Sequence, residues 1–99
     1  MDLHPDDRRR WIALAQTFHC LAEREDVAAF DLEALAAWAA TGASPAERAV
    51  CRFAFGVIRQ PQPDALAEGG PFDVLAAWPR SDDRHRAAFL DWCRDPVYF

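Results

Sequence analysis

The chain has 99 residues, 52% of them hydrophobic and 12% aromatic, with a formal net charge of −5. That apolar content suits one domain with its own core and excludes a disordered polypeptide. The acidic balance argues against a general nucleic-acid binder, because phosphate neutralisation supplies most non-specific affinity.

No apolar run approaches the ~20 residues of a membrane span. Asp2, Asp6 and Asp7 near the start do not suit a signal peptide, so a cytoplasmic protein is expected. Cys20, Cys51 and Cys93 are odd in number and widely separated. They form no CxxC pair, which favours reduced thiols over a disulfide framework. Lysine is absent and every basic side chain is arginine.

His4-Pro5-Asp6 starts the first helix, with Asp6 as its expected cap and Asp7 in its first turn. From Arg8 onward, Trp11, Leu14, Ala15, Phe18, Leu21 and Ala22 follow the i, i+3, i+4, i+7 spacing, which predicts a helix over about residues 6–24. Successive helical positions splay by about 100°, so Arg8, Arg9 and Arg10 read as a solvated first turn beside Asp6 and Asp7 rather than a nucleic-acid patch. Residues 23–29 form a polar hinge. Asp31 then caps a short helix over about 32–40, with Phe30 placed to staple against Leu35 and Gly42 as a left-handed terminator.

The stretch 44–59 carries the clearest local signal. Ser44 caps, Pro45 fits the first helical position, and Glu47 stands where a capping-box glutamate reaches back. A broad apolar face runs through Ala46, Val50, Phe53 and Val57, and Pro61 limits the far end, giving a central helix over about 45–59. Arg48, Arg52 and Arg59 fall in one sector about 40° wide with Phe55 beside them. Residues 44–63 carry three arginines against one acid, whereas residues 1–43 and 64–99 are each net acidic.

Beyond the extended Gln60-Pro61-Gln62-Pro63 connector, a turn or two of helix is expected over about 64–68, closed by Gly69-Gly70-Pro71. Phe72-Asp73 opens a short helix over about 74–78 that Pro79 ends. Ser81 is the expected cap of a last helix over about 82–94, with His85, Ala88, Phe89, Trp92 and Cys93 on its apolar side. Val97-Tyr98-Phe99 follows as an apolar tail. One pattern recurs: Phe30-Asp31, Leu35-Ala-Ala-Trp38 and Ser44 are echoed by Phe72-Asp73, Leu75-Ala-Ala-Trp78 and Ser81. The fold expected is an all-α small helical bundle, one domain over 1–99, with three main helices and three short ones packed around 45–59.

Chemistry is sparse. His4, His19 and His85 lack the close spacing of zinc ligands, so no metal site is expected. Cys51 has no histidine one turn away and no catalytic-cysteine signature. Phosphate-binding and hydrolase motifs are absent, so neither a cofactor nor an enzyme is expected. A helix-turn-helix reading over 32–59, with Arg48, Arg52 and Arg59 on DNA, is the alternative, but the second helix lacks the Asn and Gln that read adenine. The favoured expectation is a small non-catalytic interaction protein (adaptor, inhibitor or regulator) that binds another protein, a basic or nucleic-acid-binding one included. Its candidate contact residues are Arg48, Arg52, Phe55, Arg59, Tyr98 and Phe99, which are interface residue types; most of the four tryptophans are assigned to the core, and a homodimer is compatible with the same surface.

Overall fold

The computed structural model of the chain describes residues 3–59 and 72–99. Among these the structure is all-helical, without strands. In chain order the helices are α1 (Pro5–Gln16), α2 (Glu25–Ala28), α3 (Leu32–Thr41), α4 (Pro45–Gly56), α5 (Val74–Ala77), a 3₁₀ turn (Trp78–Arg80) and α6 (Asp83–Arg94). No helix is long and apolar enough to cross a membrane. The short helix expected over 64–68 lies outside the described residues.

α4 is the centre, and its start follows the local chemistry. The Ser44 hydroxyl accepts from the Glu47 amide at 3.2 Å, and the Glu47 carboxylate accepts from the Ser44 amide at 2.9 Å. These two bonds satisfy donors that helix ends otherwise leave unpaired. Ala49, Val50, Cys51, Phe53, Ala54 and Phe55 are all buried, so half of this helix is core. Trp11 of α1 is fully buried, and its indole Nε1 donates to the Ala54 carbonyl at 2.8 Å, fastening α1 to the last turn of α4. Phe18, Phe53, Phe89, Phe72 and Trp92 form an aromatic cluster with centroid separations of 4.9 to 5.5 Å. Trp38, Trp78 and Trp92 are partly buried against the same core.

Several expected boundaries shift for identifiable reasons. The first helix ends at Gln16, not near residue 24; Phe18 and Leu21 keep their helical spacing and are fully buried, but they sit in successive i→i+3 turns. The α1 cap is His4, whose Nδ1 accepts from the Asp6 amide, while Asp6 pairs instead with Arg9. α6 is capped by Asp82, which accepts from the His85 amide at 2.8 Å. Ser81 is drawn away, its buried hydroxyl donating back to the Ala77 carbonyl at 2.8 Å. Cys93, placed on the apolar side of α6 by periodicity, is exposed.

Gly42 is not a left-handed terminator, since its φ is −117°. A Cβ there would meet Trp38 Cδ1 at 3.0 Å, so its bareness makes room for the indole. The left-handed position falls instead on Phe30, with φ 55°. Phe30 donates to the Val27 carbonyl and Asp31 to the Asp26 carbonyl, the two bonds of a Schellman motif closing α2. Its ring turns to Trp11, edge-on at 5.3 Å, with the Arg8 guanidinium 5.0 Å from its centroid.

The 97–99 tail folds back onto the end of α4. Phe99 donates its amide to the Val57 carbonyl at 2.8 Å and its carbonyl accepts from Arg59 at 3.2 Å, while Trp92 Nε1 donates to the Val97 carbonyl at 3.0 Å.

Candidate functional site

The arginines of α4 do not form one open stripe. Arg48 is half-buried and reaches back along α3: its Nε donates to the Ala39 carbonyl at 2.9 Å and its Nη2 to the Ala43 carbonyl at 3.4 Å. Ala39 lies in the last turn of α3, where carbonyls lack intrahelical donors, so Arg48 serves as a helix C-terminal cap. Arg52 is half-buried with its Nε shielded and without a hydrogen-bond partner among the described residues. Arg59 is exposed, its guanidinium 4.3 Å from the Tyr98 ring centroid. Phe55 is only 6% exposed and Phe99 is buried beneath Arg10, so neither offers the open contact surface that its residue type suggested. Arg59 and Tyr98 are the expected site residues that the fold brings together in the open.

Of the three arginines that the helix-turn-helix alternative would place on DNA, Arg59 is exposed and Arg48 and Arg52 are half-buried. Half of α4 is buried in the core, and Arg48 is engaged with the Ala39 carbonyl of α3.

A second cluster joins residues that spacing kept apart. His19, in the turns after α1, places Nε2 2.9 Å from Asp82 Oδ2, 63 positions away. His85, in the first turn of α6, lies with its ring stacked on His19, centroids 4.2 Å apart and planes inclined by 12°. His85 Nδ1 is 3.7 Å from Asp82 Oδ1, too long for a hydrogen bond. His85 is 3% exposed, and neither of its ring nitrogens has a hydrogen-bond partner among the described residues. Burial drives its pKa below the ordinary imidazole value, against the pull of the Asp82 charge. The Asp82 carboxyl is held below the usual carboxylate range, first by the His85 amide and then by His19. A shallow cleft of about 260 Å³ lies alongside, lined by Thr17, His19, Arg84, Ala87, Ala88 and Asp91. In the sequence, His19 and His85 were considered together only as zinc ligands and set aside for their spacing, and Asp82 only as an acid at a helix start; no local spacing brought the three together.

Cys20 and Cys51 are chemically quiet. Cys51 is buried, and desolvation pushes its thiol pKa up to about 12; Cys20 is raised to about 11 by burial and then by the Glu47 charge. A reactive thiolate needs the opposite shift.

Among the described residues, the strongest exposed apolar feature is on α5. Leu75 is 84% and Val74 52% exposed, although Leu35, the counterpart of Leu75 in the recurring pattern, is fully buried. The two units share other features. Asp31 and Asp73 both cap their helices, and Trp38 and Trp78 both lie under arginines, Arg24 at 3.8 Å and Arg86 at 5.4 Å.

No protein-family model, curated protein or solved structure matches the chain at a significant level.

Proposed function

We propose that this protein acts by binding another protein, and that the partner seats apolar side chains on Val74 and Leu75. The exposure of Leu75 carries this reading: the same local pattern buries Leu35 completely but leaves Leu75 in water. Burying a leucine is worth about 2 kcal/mol, a gain that this fold leaves for a partner. The chain's net charge of −5 favours a basic partner. Arg59 and the exposed Tyr98 are of the residue types that anchor interfaces and form a second candidate contact.

The test is capture from extracts of the native host with the wild-type chain and with Leu75→Asp. The expected result is one basic protein retained in stoichiometric amount, weakened by salt and lost with L75D, while the helical circular dichroism of the variant is unchanged. Capture that L75D leaves intact, or no stoichiometric basic protein at all, overturns the reading.

A further inference from the structure

We propose that His19, Asp82 and His85 form a binding site for a divalent transition-metal ion, Zn²⁺ being the best match to the donor set. The inference stands apart from the partner-binding surface and needs none of its residues.

His85 supplies the main argument. Leaving a buried polar group without a partner is unfavourable, and both nitrogens of this ring are in that state among the described residues. Its Nδ1 faces a carboxylate oxygen at a distance too long for a hydrogen bond, with a second imidazole beside it. One donor atom from each of the three side chains lies within 4.8 Å of the others. A tetrahedral ion with bonds of about 2.0–2.1 Å needs donors about 3.4 Å apart. His19 Nε2 lies 2.9 Å from Asp82 Oδ2 and His85 Nδ1 lies 3.7 Å from Asp82 Oδ1, so each imidazole stands near that spacing from its own oxygen of the carboxylate. Two imidazoles and a carboxylate suit zinc and its neighbours, with water completing the shell. Calcium and magnesium favour shells built from oxygen alone.

The rings must change orientation to bind. Stacked imidazoles aim their lone pairs along nearly parallel planes, so they cannot both address one ion. His19 is the ring free to swing: its side chain is 33% exposed and it lies in turns rather than in a helix. His85 is held by α6, with Phe18 packed 6.2 Å from its centroid. Binding exchanges the stack and the His19–Asp82 hydrogen bond for coordination to a common ion. It also clamps the turns after α1 to the start of α6. The adjoining cleft, whose lining includes His19, Arg84 and Asp91, offers an approach.

The experiment is calorimetric titration of metal-free, reduced protein with Zn²⁺, repeated on His19→Ala and Asp82→Asn. Asparagine retains the cap of α6, because its side-chain carbonyl still accepts from the His85 amide. Expected is one ion per chain with a dissociation constant below about 10 µM, weakened roughly tenfold or more in each variant. Cys93→Ser controls for the exposed thiol and leaves the affinity unchanged. With Co²⁺ as the probe, visible ligand-field bands appear without thiolate-to-metal charge transfer. Weaker binding by the wild type, affinity that either variant leaves intact, or a thiolate signature overturns the proposal.

Discussion

Phe30 occupies a backbone position that L-residues with large side chains rarely adopt, at φ 55°. The left-handed region costs a non-glycine residue roughly 1–2 kcal/mol. It is retained because the ring fills the space beside Trp11 and receives Arg8. Backbone strain and side-chain packing therefore oppose each other at one residue, and two substitutions separate them. Phe30→Ala loses the packing and keeps the strain, whereas Phe30→Gly loses the packing and relieves it. Urea denaturation is expected to place both below wild type, with F30G about 1 kcal/mol more stable than F30A. An F30A at or above F30G would show that the left-handed turn stores no strain. Cys51 gives a second residue-scale expectation. With its thiol buried and its pKa about 12, iodoacetamide at about neutral pH labels the exposed Cys93 first and reaches Cys51 only when the chain unfolds. Mass spectrometry of the partially labelled protein distinguishes the two sites.

At the scale of elements, this fold closes helix ends with long side chains from elsewhere in the chain. Arg48 of α4 caps α3, Trp11 of α1 caps α4, and Arg86 of α6 donates twice to the Trp78 carbonyl, at 3.1 and 3.0 Å. Arg48→Met preserves much of the aliphatic stem but leaves the Ala39 carbonyl without its donor, a loss of about 1–2 kcal/mol. Arg59→Met removes only an exposed cation–π contact with Tyr98, worth about 0.5–1 kcal/mol. Thermal or urea unfolding of the pair is expected to rank R48M as the less stable. Equal stabilities would remove Arg48 from its capping role. This pattern also explains what the sequence could convey. Starts fixed by adjacent residues were legible, as at Ser44, Pro45 and Glu47 for α4 and at Asp31 for α3. The end of α1 was not, because periodicity records which side chains face the core, and Phe18 and Leu21 face it equally well from turns. Ser81 and Asp82 are both good caps, and only the reach of Ser81 back to Ala77 decides between them. A helical wheel locates the Cα of Arg48 but not the end of a side chain long enough to reach a neighbouring helix. The His19, Asp82 and His85 cluster depends on packing across the chain, which no local spacing encodes.

For the whole molecule, the same burial that quiets the thiols makes stability depend on alkaline pH. Cys51 sits in a core assembled from α1, α3, α4 and α6, which the 97–99 tail closes at the end of α4. Its pKa rises from 9.0 in the unfolded chain to about 12 in the folded one, mainly because burial penalises the thiolate. Below pH 9 both states hold the proton, and the contribution of Cys51 to stability is fully present. Between the two values the unfolded chain has released its proton while the folded chain retains it. The unfolded state then binds fewer protons, so the free energy of unfolding falls by about 1 kcal/mol for each pH unit. Cys20, raised to about 11 by burial first, adds a loss of the same sign over a narrower window. Urea midpoints measured from about pH 8 to 10.5 are expected to decline in the wild type and to decline less steeply in Cys51→Ala. The variant loses packing at every pH, so the comparison rests on the slopes rather than on the absolute midpoints. Parallel slopes would mean that the Cys51 thiol meets water in the folded protein, and the core around α4 would then be open where its side chains enclose it.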